Sequence, residues 1–181
     1  MKNNNNFKFV ITFFLIFFVF IFIYILLINN KKDTIYYRVY SNGKWSQWYE
    51  NGKIAGDLKN NITEIEIRTN DANNDDIYYK IATDENWSKE YLNTTKEKNK
   101  KRSYISGIKM DLMGILRKKY DIFYRTYNKK NGWLGWSWNY IVNGNSKEAI
   151  SGIEIQLVEK DSDIEQILED YDSYKKKSLN Y

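Results

Sequence analysis

One pattern of residues is written three times along this chain, and any fold must accommodate all three copies in the same way. It opens on a strand that alternates apolar and polar residues, turns through a short polar loop to a tryptophan, and closes on a second alternating strand. The leading isoleucines Ile35, Ile77 and Ile122 lie 42 and 45 residues apart, inside the roughly 20–50-residue range of repeat architectures. The first tryptophan of each copy, Trp45, Trp87 and Trp133, follows its leading isoleucine by 10, 10 and 11 residues. The closing isoleucine (Ile62, Ile105, Ile150) follows by 27, 28 and 28. Two landmarks held at such constant spacing make the copies structural equivalents, over residues 34–76, 77–121 and 122–158.

The alternation assigns faces. In the first strands, Ile35, Tyr37 and Val39 oppose Tyr36, Arg38 and Tyr40; Ile77, Tyr79 and Ile81 oppose Tyr78 and Lys80; Ile122, Tyr124 and Thr126 oppose Phe123, Arg125 and Tyr127. This is the period of a half-buried strand. A basic residue, Arg38, Lys80 or Arg125, recurs at one outward position. In the closing strands, Ile65 and Ile67, then Ile108, Met110 and Leu112, then Ile153, Ile155 and Leu157 share a face, but the closing isoleucine is out of step with that series. A β-bulge at Ser106-Gly107 and Ser151-Gly152 accounts for the switch; copy one carries Glu64 there, so its bulge needs no positive φ. Met113–Tyr120 reads as a basic linker with apolar plugs, and no helix separates the copies. The expected body is an all-β domain with three-fold pseudo-symmetry over residues 34–158, β-prism-like or alternatively a β-trefoil, with each copy forming its own small sheet.

The spacing Trp45-x-x-Trp48-x-x-x-Gly52-x-x-x-Gly56 before an Ile-rich strand resembles the clostridial hydrophobic repeat and its Gly-Trp signature. Copy three supplies Gly132-Trp133 and the closing run from Ile150 to Leu157. The resemblance covers residues 34–158, with departures. Lys44 and Asn86 stand where the signature has glycine, and Glu90-Tyr91 where copy two should have its second tryptophan. Tyr127 stands where the family often has histidine. The resemblance implies a secreted or surface protein of Gram-positive bacteria, with adhesion or glycan binding as its activity.

Ahead of the repeats, Phe9 to Ile28 is 20 residues without a charge, polar only at Thr12 and Tyr24. That length matches the hydrocarbon core of a bilayer. A cleaved signal would have an apolar region of about 7–15 residues ending in small residues, whereas this one runs into Asn29-Asn30-Lys31-Lys32. The expectation is a tail over 1–8, a single-pass transmembrane anchor over 9–28 and a linker over 29–33. Lys2 and Lys8 nearly balance Lys31 and Lys32, and the short tail before a long polar domain places that domain outside the cell membrane. Behind the repeats, Ser162-Asp163-Ile164-Glu165 forms a capping box, and Ile164, Ile167, Leu168, Tyr171 and Tyr174 mark one helix stripe. An amphipathic helix over 162–177, within a tail region of 159–181, is expected to pack on the β domain or on a protein partner. The run Thr94–Arg102 reads as a solvated loop, with a patch for anionic polymers as its alternative.

Composition narrows function by exclusion. The chain has no Cys and no His, which removes thiolate metal sites and the commonest general base. A net charge of +5 is too mild to argue for nucleic acid. Neither a phosphate loop nor metal-ligand spacing is present, so the reading is a non-enzyme without cofactor or metal. Trp45, Trp87 and Trp133, fixed by the period, are expected in the core. Trp48, Trp136, Trp138 and Tyr140 are either core or a flat binding platform, since Trp136, Trp138 and Tyr140 alternate on one strand face. Together with Arg38, Lys80 and Arg125 they form the candidate ligand-binding set. The expected partners are a bilayer through residues 9–28, a glycan or envelope polymer, and a protein partner for the terminal helix. The function expected is a surface-displayed binding or adhesion module, with a structural or assembly protein of the envelope as the alternative.

Overall fold

The computed structural model describes residues 4–29, 33–70, 76–83, 86–92, 103–144 and 147–163, with Glu165 and Glu169; in the first helix the side chains are described from Val10 to Tyr24, and at 91–92 the backbone alone. Residues Met1–Asp33 and Thr34–Tyr181 form two compact units. The first is helix α1, Asn4–Asn29. Its described side chains, Phe13, Phe17 and Phe20 among them, are exposed on every side. Among the described residues no helix is long and apolar enough to cross a membrane; the apolar stretch Phe9–Ile28 runs past the described side chains at both ends. The expected helix over 162–177 and the loop Thr94–Arg102 lie almost wholly outside the described residues.

From Thr34 to Asp163 the described residues of the second unit are all-β apart from one short helix, and Glu165 and Glu169 are helical. Its strands are β1 (Ile35–Ser41), β2 (Lys44–Trp45), β3 (Tyr49–Glu50), β4 (Ile62–Thr69), β5 (Ile77–Thr83), β6 (Tyr91–Leu92), β7 (Ile105–Leu112), β8 (Tyr120–Asn128), β9 (Gly132–Trp133), β10 (Ser137–Trp138), β11 (Asn143–Gly144) and β12 (Ile150–Glu159). Helix α2, Gly114–Lys119, sits between β7 and β8 and buries Leu116. A basic linker with apolar plugs was expected there; instead a short helix forms that buries Leu116 and leaves Ile115 exposed.

Three antiparallel sheets result. In the first, β1 pairs with β2 and β3 along one edge and with β4 along the other. In the second, β5 pairs with β6 and β7. In the third, β8 pairs with β9, β10 and β12. One strand departs from the expectation that each copy makes its own sheet: β11, from copy three, adds to β7 of copy two. The first strands of copies one and two alternate as their sequences require, with Ile35, Tyr37, Val39, Ile77 and Tyr79 buried. In β8 the expected alternation fails, because Trp138 and Trp136 cover Phe123 and Arg125, which are buried together with Ile122 and Tyr124. Ile67, Ile108, Met110, Leu112, Ile153 and Ile155 of the closing strands complete one core. Each such side chain contributes about 1.5–3 kcal/mol by leaving water. The closing strands β4, β7 and β12 contact one another pairwise.

Three buried tyrosine hydroxyls link the sheets in a closed circuit. Tyr37 Oη accepts from the Ile155 N–H of β12 at 3.2 Å and donates to the Lys53 carbonyl. Tyr124 Oη accepts from the Met110 N–H of β7 at 3.2 Å and donates to the Ile141 carbonyl. Tyr79 Oη donates to the Ile65 carbonyl of β4 at 3.3 Å. A buried phenol needs such a partner, so each first strand grips the closing strand of a neighbour.

The register shifts fall at the expected place in every sheet, opposite Tyr40/Ser41, Ala82/Thr83 and Tyr127/Asn128. The reason for glycine there is corrected. Neither Gly107 nor Gly152 has a positive φ; the Leu58 side chain lies on top of Gly152, whereas a Cβ on Gly107 would make only ordinary contacts, the nearest at 3.4 Å from the Asn143 carbonyl oxygen. A Cβ on Gly152 would run into the Leu58 side chain, and one on Gly144 would lie 2.6 Å from the Gly107 Cα. Gly56 and Gly144, both at positive φ, are the residues that approach: Gly56 onto Ser151-Gly152, Gly144 onto Ser106-Gly107. Glycine is thus used in pairs, for backbone proximity.

Candidate functional site

The outward faces of the three sheets carry the candidate residues, and each face is built on the pair of strands flanking its cross-strand charges. On the first sheet, Arg38 stands directly opposite Glu66, with Nη2 2.6 Å and Nε 2.7 Å from Oε2. Its guanidinium lies 4.7 Å from the ring centres of both Trp45 and Trp48. Arg68 covers Trp48 at 4.2 Å and Tyr36 at 5.7 Å. The third sheet repeats the arrangement. Arg125 opposes Glu154, bonded at 3.1 Å with side-chain exposures of 4% and 0%, and its guanidinium lies 5.1 Å from Trp133 and 4.5 Å from Trp136. A cation over aromatic faces gains electrostatic attraction that strengthens as water is excluded.

A short loop aims each first tryptophan. Ser46 donates its N–H to the Val39 carbonyl at 2.9 Å while its Oγ accepts from the Val39 N–H at 3.2 Å. Ser88 clips to Ile81 in the same way, at 2.8 and 3.1 Å. Copy three has Leu134 there, and Asn143 Oδ1 takes over, accepting from the Thr126 N–H at 2.8 Å. Tyr40 and Tyr127 support Trp45 and Trp133 edge-on. The first tryptophans therefore lie outside the core, contrary to expectation: the inward faces are already filled by isoleucine and tyrosine. Trp45 and Trp133 are half-buried on the outer face and Trp87 is 41% exposed.

The middle sheet is built differently. The residue opposite Lys80 is Lys109, not a carboxylate. Among the described residues the carboxylate that Lys80 Nζ reaches is Glu90, at 3.9 Å, with side-chain exposures of 30% and 45%. Lys109 Nζ lies 5.0 Å from the Trp87 ring and 4.4 Å from the Tyr140 ring. Copy two lacks a second tryptophan, and Tyr140 from copy three takes its place. Positive φ at Asn139 (42°) and Tyr140 (74°) turns the chain over, and the Tyr140 N–H is held by the Met110 carbonyl at 2.7 Å. Tyr140 packs on Tyr78 at 5.2 Å. Tyr78 donates to Asp111, which Arg117 faces at 3.5 Å; burial, then the Asp111 charge, pushes the Tyr78 phenol up.

The expected shared face of Trp136, Trp138 and Tyr140 is thus divided. Trp136 lies on Arg125, Trp138 stacks on Phe123 at 5.9 Å and 26°, and Tyr140 belongs to the neighbouring sheet. Trp138 is 44% exposed, beside exposed Ile141 and Val142. The basic set is divided too: Arg38 and Arg125 are matched by carboxylates, and Lys80 sits beside a second lysine. Glu66, Glu154, Lys109 and Trp87 were missing from the set read in the sequence. Their signal was present, since Glu66, Lys109 and Glu154 each lie four residues after a closing isoleucine.

This combination defines an all-β domain whose outer faces present aromatic rings braced by cations, with no group of metal-ligating side chains among the described residues. Compared with known proteins, the chain matches no protein family, no curated protein and no solved structure.

Proposed function

We propose that this protein is a membrane-anchored binding module displayed outside the cell, built from three repeats of the clostridial hydrophobic type. In this reading the three sheets are related by a pseudo-threefold axis in a β-prism-like body, and the closed circuit of Tyr37, Tyr79 and Tyr124 supports it. The charge-free stretch Phe9–Ile28 supports the anchor. The observation that carries the function is the exposed Trp138 ring held flat on Phe123. A large apolar ring left in water but fixed in orientation suits stacking on sugar rings, with polar neighbours setting choice. Envelope or host glycan is the ligand class. The test is a panel of neutral and charged polysaccharides presented to the full chain in detergent micelles. Retention on at least one, lost in Trp138→Ala without loss of folding, supports the reading; retention on none overturns it.

A second reading, an assembly protein of the envelope, is favoured by the apolar Ile141 and Val142 exposed beside Trp138. Capture of one defined envelope protein in place of any polysaccharide, abolished by Val142→Asp, would select it. Membrane fractionation of the intact chain, with protease added outside cells, tests anchor and orientation together.

A further inference from the structure

The middle sheet carries a charge arrangement that the other two avoid. At the facing positions of first and closing strands, the outer sheets place Arg38 against Glu66 and Arg125 against Glu154. The middle sheet places Lys80 against Lys109. Like charges directly opposite each other in a sheet are destabilising, so an added anion lowers the energy of this face and has no such role on the other two. Among the described residues Glu90 is the one carboxylate at ion-pair distance from Lys80, and none stands at that distance from Lys109. Glu90 is itself half-exposed and held only by long contacts, 3.9 Å from the Lys80 ammonium and 3.5 Å from the Tyr140 hydroxyl that donates to it, both of which a bound anion can take over. Asp111, two residues along β7 from Lys109, is already engaged by Tyr78 and Arg117.

We infer that the face formed by Trp87, Lys80, Lys109 and Tyr140 binds an anionic sugar. The ring stacks on the exposed part of Trp87 and the anionic group sits between the two ammonium groups, displacing Glu90. Lysine is a compact point charge that accepts carboxylate and phosphate alike, so the class is set by a sugar ring together with a negative group. Tyr140 and Trp87 hold the Lys109 ammonium between them, so the cation is positioned before the ligand arrives. This inference rests on the glycan-binding reading and narrows it to one face and one charge.

The test uses the full chain in detergent micelles, with polygalacturonate and phosphomannan as charged probes and fully methyl-esterified polygalacturonate as the neutral match. Binding is measured by calorimetry at several salt concentrations. Both charged polymers, or one of them if carboxylate and phosphate are distinguished, should bind more tightly than the ester, with affinity falling as salt rises. Lys109→Glu, which restores the charge pattern of the outer sheets, should weaken charged-polymer binding about five- to tenfold. Glu90→Gln, which removes the internal competitor, should strengthen it. The opposite signs separate ligand binding from a folding defect, and thermal unfolding of both variants checks this directly. Equal binding of ester and acid, or no response to either variant, overturns the inference while leaving a neutral glycan module intact. Failure of every polysaccharide overturns both.

Discussion

The third and middle sheets share one strand plan and differ in how the same outward position is neutralised. In the third sheet the cation is an arginine, its partner acid lies directly across the ladder, and both are buried. In the middle sheet the position holds a lysine, the facing residue is another lysine, and the partner acid comes from a loop. The first is a closed structural pair and the second an open charged face. Residues that look equivalent in a repeat can thus do different work, decided by what stands across the sheet.

The sharpest way to break that comparison is to neutralise the equivalent residues one at a time. Arg125→Gln leaves Glu154 buried without its cation and should cost about 3–5 kcal/mol of stability. Lys80→Gln, on the open face, should cost less than about 1 kcal/mol. Chemical denaturation of the two variants measures both. Losses of similar size would mean that the two faces are not distinct after all.

A second contrast concerns glycines at positive φ. Gly144→Ala meets both a left-handed backbone and the strand of the next copy, with the Gly107 Cα 2.6 Å from the new methyl, and should cost about 1–3 kcal/mol or more. Gly132→Ala has the same kind of φ but open space around it, leaving only the backbone penalty of about 1–2 kcal/mol. A smaller loss at Gly144 than at Gly132 would show that β11 does not press on β7 in solution.

The inward faces and the bulge positions were legible in the sequence because both depend on a period of two and its single interruption. What pairs across the sheets was not. The repeat spacing aligns Lys80 with Arg125 and Lys109 with Glu154, but only strand pairing sets Lys109 across from Lys80 and Glu154 across from Arg125. Tyr140 reads as the third ring of one strand face, and two residues of left-handed backbone carry it to another sheet instead. The tryptophans misled for a related reason. Large aromatic residues usually dominate cores, but here isoleucine and tyrosine already fill the inward side, and the tryptophan loops clip onto the outward one. Residue type suggested burial; loop hydrogen bonds at Ser46 and Ser88 decided against it.

The tyrosine circuit offers a test by pH. Burial raises the Tyr124 phenol well above its ordinary value, so the folded state holds this proton more tightly than the unfolded chain does. Stability from the neutral phenol is fully present below the unfolded pKa near 10 and is lost as pH rises above it toward the folded value. Tyr124→Phe should lower stability at pH 7 by about 1–3 kcal/mol, since the Met110 N–H and the Ile141 carbonyl lose their partner. The same change should flatten the decline above pH 10. An unchanged slope in the variant would remove Tyr124 as its source. Tyr79→Phe, which loses the long 3.3 Å bond to the Ile65 carbonyl, should cost about 1 kcal/mol.

A small effect belongs to Trp138, 44% exposed on the third sheet. Trp133 and Trp138 stand on the same face but are held differently: Trp133 lies over the buried Arg125 and against Tyr127, whereas Trp138 has Phe123 beneath it and water above. Trp133→Ala uncovers a buried ion pair and should cost about 3–4 kcal/mol, the lower part of the range for deleting a large aromatic. Trp138→Ala forfeits one stacked pair, worth about 0.5–1.5 kcal/mol. If the Trp138 ring serves a ligand, its loss should be felt in polysaccharide retention far more than in unfolding. Equal destabilisation by the two substitutions would assign Trp138 to the packing of the sheet and leave the third face without a platform.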